Sequence, residues 1–329
     1  MERTSRKIAV VGIILVAVLL VGNAGWKGGD VPGGNLSAEK GAENVASPLL
    51  ASRVVFGSGA ETGETSRTSA LSPVAAREAA FYKTGDEPVP LLGANVFLLT
   101  DLETREVFAS SHTKQQWPLA SLTKLMTAAL AIEKFNLNAE VPLSENHFPT
   151  GGANAQSLAP GRYKVSELLK ALLLISSNEA AEALAAEYGR AQFIAAMNDK
   201  AKTWGLLSTH FDDPSGLSIS NQGTAHDLGV MISRIYAQYP EIFEITRIRS
   251  ASVVNLNSGE TRALKNINLF AGRDEFRGGK TGFTSEASGN LVSIFSYGGR
   301  QIAIIVLGTG DRFGDTDTLY RWFTKNYRP

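Results

Sequence analysis

The segment from Ser121 to Ile132 is apolar on nearly every side and carries one charge, Lys124. This composition predicts a helix that is buried almost all round. Because positions i and i+3 share a helix face, the hydroxyl of Ser121 and the amine of Lys124 can meet. A buried ammonium must find a partner or lose its proton. A neutral lysine beside a serine is a general base beside a nucleophile.

The Ser-x-x-Lys spacing is a weak signal alone, because about one copy is expected by chance in a chain of this length. The sequence contains three copies, Ser37/Lys40, Ser111/Lys114 and Ser121/Lys124. Only the third begins an apolar helix, where burial can lower the pKa of the lysine. The alternative for this pair is a capping serine followed by a lysine whose amine reaches solvent.

The composition excludes several functional classes. The 329 residues have a formal net charge of zero and no basic run, which gives no support to nucleic-acid binding. Cysteine is absent, so disulfides, thiolate metal sites and a cysteine nucleophile are excluded. The four histidines lack the close spacing of metal ligands. We therefore expect neither a metal nor a cofactor.

The N-terminus has the layout of an export signal. Arg3, Arg6 and Lys7 precede an uncharged run over residues 8–22, and Trp26 lies just beyond it. We expect an uncleaved membrane anchor over residues 1–26, with a cleaved signal peptide and secretion as the alternative. Residues 27–90 are rich in Gly, Ser, Ala, Glu, Thr and Pro, which predicts a flexible linker. The remaining residues, 91–329, form the expected catalytic domain on the outside of the cytoplasmic membrane.

The order of elements within residues 91–329 predicts an α+β fold. A β-hairpin is expected over 94–100 and 105–109, and helices over 165–175, 179–187, 191–204 and 224–236. Strands are expected at 251–256, 276–284, 290–297 and 301–307, before a closing helix at 317–327. We expect the hairpin and the late strands to share one antiparallel sheet, with the helical lobe inserted between them.

Two further motifs accompany the serine and lysine pair, Ser176-Ser177-Asn178 and Lys280-Thr281-Gly282. Each has other copies: Ser-x-Asn also occurs at 144–146 and 288–290, and Lys-Thr-Gly at 83–85. Ser176 with Glu179 fits a helix capping box, and the glycines around Lys280 fit a bulge or turn. The order of the motifs favours a site: a nucleophile at a helix start, Ser-x-Asn at a helix break, and Lys-Thr-Gly on a strand.

With these motifs in this order, the chain resembles the serine-type D-alanyl-D-alanine carboxypeptidases, the low-mass penicillin-binding proteins. The resemblance runs from about residue 94 to residue 327 and includes segments outside the motifs. These segments are MNDKA at 197–201, DPSGLS at 213–218, TAHDL at 224–228 and NINLF at 266–270. The family commonly carries Gly where this chain has Ser177. The resemblance implies the β-lactamase/DD-peptidase-like fold, peptidoglycan stem peptides as substrate, and acylation by β-lactams.

The resemblance also implies a role for each matching residue. Ser121 attacks the carbonyl between the two terminal D-alanines, and neutral Lys124 takes its proton. Ser176 relays a proton to the leaving D-alanine, and Asn178 holds the substrate backbone amide. These four residues are the expected catalytic group.

The Lys-Thr-Gly strand is the expected substrate-binding element. By resemblance, Lys280 and Thr281 hold the terminal carboxylate of the substrate. Gly282 lies just before Phe283, and the resemblance implies that the backbone N–H groups of Phe283 and Ser121 form the oxyanion hole.

Three other functions remain open on the sequence alone. A DD-endopeptidase would use the same residues to cut cross-links. A serine β-lactamase shares the motifs, but the Glu-x-x-Leu-Asn segment that class A enzymes use is missing downstream of Asn178. From a different class, the chain could be a tethered wall-binding module with a relict site.

Overall fold

The structure is a computed structural model that describes residues 81–148 and 158–329. The expected anchor over residues 1–26, and the linker as far as residue 80, lie outside the described residues. Within the described part, no helix combines the length and apolar character needed to cross a membrane.

The described residues form an α+β domain. Its strands are β1 (Tyr82–Lys83), β2 (Val96–Asp101), β3 (Val107–Ser111), β4 (Trp117–Pro118), β5 (Glu140–Leu143), β6 (Gly161–Lys164), β7 (Gln222–Gly223), β8 (Ser250–Val254), β9 (Thr261–Lys265), β10 (Phe276–Thr284), β11 (Ser288–Tyr297), β12 (Arg300–Thr309) and β13 (Tyr327–Arg328). Its α-helices are α1 (Lys124–Lys134), α2 (Val165–Leu174), α3 (Asn178–Tyr188), α4 (Arg190–Thr203), α5 (Ala225–Gln238), α6 (Pro240–Arg247) and α7 (Arg312–Asn326).

A five-stranded antiparallel sheet with the order β10-β11-β12-β2-β3 forms the centre of the fold. Strand β12, late in the domain, pairs with β2, early in the domain, as in the partners Ile304 and Leu99. The expectation that the hairpin and the late strands share one sheet is therefore confirmed for the strands expected at 276–284, 290–297 and 301–307, and the helical lobe is inserted between them. It is wrong for the strand expected at 251–256, because β8 pairs with β9 in a separate two-stranded sheet.

Side chains alternate across this sheet because successive strand residues point to opposite faces. Phe97 and Leu99 belong to an aromatic-rich cluster with Leu319 and Phe323 of α7. Their neighbour Leu98 packs in the larger cluster formed by the helical lobe. The sheet is thus covered on both faces, and its edge strand β10 lies where sheet and lobe meet.

The last residues of the expected linker belong to the folded domain. Phe81 is buried, with ring centroids 5.6 Å from Phe108 and 5.2 Å from Phe323. Strand β1 pairs with β13 at the other end of the chain, and Trp322 Nε1 donates to the carbonyl of Glu87 at 3.0 Å. The structured part therefore begins by residue 81, ten residues before the expected boundary at 91.

Helix α6 and strand β9 are among the elements that had no counterpart among the sequence-based expectations, and helix α7 is longer than expected. Helix α6 begins with Pro240 at its first position and buries Ile242 and Phe243. Strand β9 pairs with β8 outside the central sheet. Helix α7 begins at Arg312 instead of residue 317, because the carboxylate of Asp311 accepts the N–H of Gly314 and caps the helix start.

Candidate active site

Ser121 lies in a 3₁₀ turn, Ala120–Thr123, that leads directly into α1. The regular helix begins three residues later than expected, at Lys124. Ala120, just before the serine, has a φ of 48°, in the left-handed region that a residue with a Cβ rarely adopts. Because Ser121 is inside the turn and not at a helix N-cap, the structure does not support its interpretation as a capping residue.

The amine of Lys124 lies inside the protein, with no exposed side-chain surface. It donates to Ser121 Oγ at 3.0 Å, to Asn178 Oδ1 at 2.6 Å and to the carbonyl of Ser215 at 2.5 Å. Burial lowers the pKa of Lys124 to about 7, against the opposing effect of nearby carboxylates. A lysine whose amine reaches solvent is thereby ruled out.

A tight loop over residues 213–218 supplies the third acceptor for this amine. The carboxylate of Asp213 accepts the N–H groups of Ser215, Gly216 and Ser218 at 2.6, 2.6 and 2.5 Å. Burial alone would raise the pKa of Asp213, but these hydrogen bonds lower it below its usual value. The loop therefore holds the carbonyl of Ser215 in place through a buried, ionised carboxylate.

Gly216 lies against the turn that carries the serine. Its φ is 85°, and a Cβ built on it would stand 1.9 Å from the carbonyl oxygen of Ala120. We expect Gly216→Ala to displace Ser121, lowering acylation by penicillin about a hundredfold and the free energy of unfolding by ~1–3 kcal/mol. Stopped-flow labelling and urea denaturation measure the two effects.

Gly205 provides a matched control for that substitution. Its φ is 78°, but open space surrounds the position of its Cβ. Gly205→Ala should therefore lose about 1 kcal/mol of stability through backbone strain alone, with an unchanged acylation rate. Equal acylation rates for both variants would show that contact between residues 216 and 120 does not position the serine.

Ser176 pairs with Lys280 to form a second cluster. Lys280 Nζ donates to Ser176 Oγ at 2.8 Å and to the carbonyl of Thr281 at 2.9 Å. Ser176 has a φ of 59°, and the neighbouring Ser177 caps α3 by accepting the N–H of Ala180 at 2.9 Å. The capping-box interpretation of Ser176 is therefore wrong, because Ser177 does the capping and leaves the hydroxyl of Ser176 to Lys280.

The two lysines influence each other electrostatically. Lys280 is buried, and this burial holds its pKa well below the usual value, with further lowering by the positive charges of Lys124 and Arg312. An anionic ligand beside Lys280 would favour the charged form of its amine, because opposite charges attract strongly in a site shielded from water. The site is thus suited to a substrate that carries a carboxylate.

The outer edge of β10 faces the turn that carries the serine. A Cβ on Gly282 would lie 3.1 Å from the carbonyl oxygen of Leu119 and 3.3 Å from the backbone nitrogen of Ser121. Gly282 thus allows the strand and the turn to approach closely. It does not form a β-bulge, because the register irregularity of β10 lies between Phe276 and Gly278. Thr281 is buried, whereas Phe283, also an expected site residue, is 68% exposed.

Two residues that were not selected from the sequence support this arrangement. Arg312 Nη1 donates to the carbonyl of Gly282 at 2.8 Å, and burial lowers the pKa of this guanidinium. Asn290 Nδ2 donates to the carbonyl of Pro118 at 2.9 Å, and its Oδ1 accepts the N–H of Gly308 at 3.1 Å. Asn290 ends one of the other Ser-x-Asn copies, and that motif could have drawn attention to it. No local sequence pattern marks Arg312.

Both the sequence and the fold match known proteins. Residues 83–311 match the family described as Peptidase_S11, D-alanyl-D-alanine carboxypeptidase. The chain belongs to this family. A D-alanyl-D-alanine carboxypeptidase of Mycobacterium tuberculosis, DacB2, is 33% identical over 249 residues, which cover 72% of this chain and 84% of the relative. The D-alanyl-D-alanine endopeptidase of Escherichia coli K12 is 30% identical, over 77% of this chain and 83% of its own length.

The S11 family assignment agrees with the fold. Penicillin-binding protein D2 from Listeria monocytogenes, solved with bound ampicillin, superposes with a TM-score of 0.63 at 30% identity. The match covers 71% of this chain and 98% of that structure. The expected β-lactamase/DD-peptidase-like architecture is confirmed. In the described ranges, no group of three or more His, Asp or Glu side chains is placed to hold a metal ion.

Proposed function

We propose that this S11 family member is a serine DD-carboxypeptidase that removes the terminal D-alanine from peptidoglycan stem pentapeptides. The observation that carries the proposal is the buried amine of Lys124, 3.0 Å from Ser121 Oγ and with a pKa of about 7. A base with this pKa is half neutral at physiological pH and can accept the hydroxyl proton as the serine attacks.

Acylation begins when Ser121 Oγ attacks the carbonyl carbon between the two D-alanines. Its proton passes to Lys124, and the carbonyl oxygen becomes an oxyanion that the N–H groups of Ser121 and Phe283 stabilise. Collapse of this intermediate breaks the peptide bond and leaves the peptide as an ester on Ser121. The leaving nitrogen takes the proton that Lys124 received, relayed through the hydroxyl of Ser176, so Lys124 is neutral again. The hydroxyl of Ser176 accepts a hydrogen bond from Lys280.

The remaining roles concern substrate position. Lys280 and Thr281 hold the terminal carboxylate, and Asn178 holds the backbone amide of the acyl part. Water then attacks the ester carbonyl, and Lys124 takes a proton from this water. Lys124 returns the proton to Ser121 Oγ as the ester bond breaks, which releases the tetrapeptide and restores the Ser121 hydroxyl. Release of D-alanine from a synthetic pentapeptide, measured by a D-amino-acid oxidase assay, tests this function. Absence of release would reject it.

Lys280→Ala should remove recognition of the terminal carboxylate. We expect kcat/KM for a pentapeptide with a free carboxylate to fall about a hundredfold, because a buried charge partner of this kind contributes about 2–5 kcal/mol. The C-terminal amide of the same peptide should lose much less. Lys83 is a matched control, since it lies in the other Lys-Thr-Gly copy with a half-exposed side chain. If Lys280→Ala and Lys83→Ala had equal activity, Lys280 would have no role in the site.

The same site is proposed to react with β-lactams. The Listeria relative was solved with ampicillin and with cefotaxime bound, and a strained lactam presents a carbonyl and a carboxylate as the substrate does. We expect a stable penicillin adduct on Ser121. Rapid hydrolysis of that adduct would instead indicate a β-lactamase.

The alternative is a DD-endopeptidase that cuts cross-links between stem peptides. It has specific support, because the Escherichia coli relative carries that name at nearly the same identity. Both reactions use the same acyl transfer, so the residues of the site do not separate them. Incubation with cross-linked muropeptides would separate them: appearance of monomers supports the endopeptidase, and release of D-alanine alone supports the carboxypeptidase.

The proposed substrate also bears on the location of the enzyme. Peptidoglycan lies outside the cytoplasmic membrane, and the basic residues before the apolar run at 8–22 favour export of the chain beyond that run. We propose that residues 1–26 tether the enzyme to the membrane and that the linker lets it reach the wall. Recovery of the full-length chain in the membrane fraction supports a tether, and recovery of a shortened chain in the medium supports cleavage.

A further inference from the structure

A cavity of about 290 Å³ opens beside Asn178 and has no role in the acyl transfer described above. Its walls come from four parts of the described chain. Helix α3 contributes Asn178, Glu182 and Ala186, the loop after Asp213 contributes Leu217, and the short turn before residue 149 contributes His147. Arg190, at the start of α4, completes the lining.

The cavity continues the site along one face of α3. Asn178, Glu182 and Ala186 are spaced four residues apart, so their side chains lie in a row on the same side of the helix. Asn178 also accepts a hydrogen bond from Lys124 and is proposed to hold the backbone amide of the acyl part. A side chain that precedes this amide in the substrate would therefore extend over Glu182.

The cavity offers both signs of charge. Arg190 Nε and Nη2 donate to the two carboxylate oxygens of Glu182 at 2.7 and 3.2 Å. The side chain of Arg190 is still 50% exposed and that of Glu182 22% exposed, so both can accept a further partner. Such a fork-shaped guanidinium suits a carboxylate, and the carboxylate of Glu182 suits an ammonium.

His147 adds a neutral hydrogen-bond donor to the same wall. Its Nδ1 accepts the N–H of Ser144 at 3.1 Å, so the proton of the neutral ring is on Nε2. Burial lowers the pKa of His147, which keeps the ring neutral at physiological pH. The wall thus combines a neutral donor, a cation and an anion.

We propose that this cavity is a subsite for the third residue of the stem peptide and selects a side chain ending in both an ammonium and a carboxylate. The 2,6-diamino dicarboxylic acids have this chemistry, with the ammonium on Glu182 and the carboxylate on Arg190. A lysine side chain has only the ammonium, so it can bind Glu182 but offers no carboxylate to Arg190. This inference rests on the proposed function, since it names the substrate class of the same site.

Two pentapeptides that differ only at the third residue test the subsite. One carries meso-2,6-diaminopimelate and the other L-lysine, and kcat/KM for D-alanine release is measured for each. We expect a preference of about tenfold for diaminopimelate, the size of one partly exposed charged hydrogen bond. In Arg190→Gln the preference should fall to within about twofold. Equal rates in the unmodified protein, or a preference that survives Arg190→Gln, would overturn the proposal.

The ratio of the kcat/KM values for the two peptides separates selectivity from a general change in activity. Glu182 also acts on the pKa of Lys124, so loss of Arg190 can change the base, but that change affects both peptides equally. Arg321→Gln is the matched control, because Arg321 also pairs with a carboxylate, Asp317, on the exposed side of α7. It should keep the full preference.

Binding to the Ser121→Ala protein separates this inference from the proposed function. Calorimetry with the same peptides should show about tenfold tighter binding of the diaminopimelate peptide, and Arg190→Gln in this background should remove the difference. Selective binding without D-alanine release in the active protein would reject the carboxypeptidase and keep the subsite. Release of D-alanine with equal binding of both peptides would keep the carboxypeptidase and reject the subsite.

Discussion

Ser121→Ala is expected to lose covalent labelling by a fluorescent penicillin completely and D-alanine release by at least about 10⁴-fold. Removal of the nucleophile leaves no oxygen that can form the ester, and only the oxyanion donors and substrate binding remain. The fold should persist, since Ser121 is only partly buried and its partner Lys124 keeps two other acceptors. Gel fluorescence and a D-alanine assay measure the two losses.

The chain contains its own control for this experiment. Ser111 belongs to another Ser-x-x-Lys copy, in which Ser111 Oγ bonds to His112 Nδ1 and Lys114 is exposed. Ser111→Ala should label at the normal rate. A labelled Ser121→Ala protein would reject Ser121 as the nucleophile, whichever residue then carried the label.

Lys124→Met should lower the acylation rate about a thousandfold while the substrate still binds. A positioned general base contributes about 10²–10⁴ in rate, and methionine fills the buried space without a proton acceptor. The rate constant for penicillin acylation, taken from stopped-flow traces, measures the effect. Lys114→Met, at an exposed lysine of the Ser111 copy, should leave the rate unchanged. A near-normal rate in Lys124→Met would show that another group takes the proton of Ser121.

The same substitution should change how stability depends on pH. The pKa of Lys124 is about 7 in the folded protein and 10.5 without burial, so unfolding takes up a proton between these values. The folded state is therefore penalised most at and below pH 7, and the penalty fades as the pH approaches 10.5. Relative to the unmodified protein, Lys124→Met should lose about 2 kcal/mol of stability between pH 7 and pH 9. Urea denaturation at both pH values measures this, and a constant difference would contradict the low pKa.

The contacts that could be predicted from the sequence are those set by local spacing or by the order of strand patterns along the chain. Ser121 and Lys124 meet because they are three residues apart on consecutive helical turns, and an apolar surround implies the burial of the amine. The pairing of the early hairpin with the late strands was expected from their patterns and is observed. The first of these features follows from local spacing, and the second from the order of strand patterns along the chain.

The other features of the site depend on contacts between distant segments. The carbonyl of Ser215 reaches Lys124 across 91 residues of chain, and backbone carbonyls carry no sequence signal. Arg312 reaches Gly282 from the first position of α7, and this helix starts five residues before the expected start at residue 317. The separation of roles between Ser176 and Ser177 results from one left-handed residue, which a serine gives no reason to expect.

The proposed mechanism depends most on a lysine that is neutral near physiological pH beside a serine. The pH dependence of penicillin acylation tests this directly, measured from pH 5 to pH 10 under single-turnover conditions. The rate constant should rise about tenfold per pH unit and level off with an apparent pKa near 7, because only neutral Lys124 can accept the proton. A rate constant that is independent of pH, or one that still rises steeply above pH 9, would contradict this mechanism.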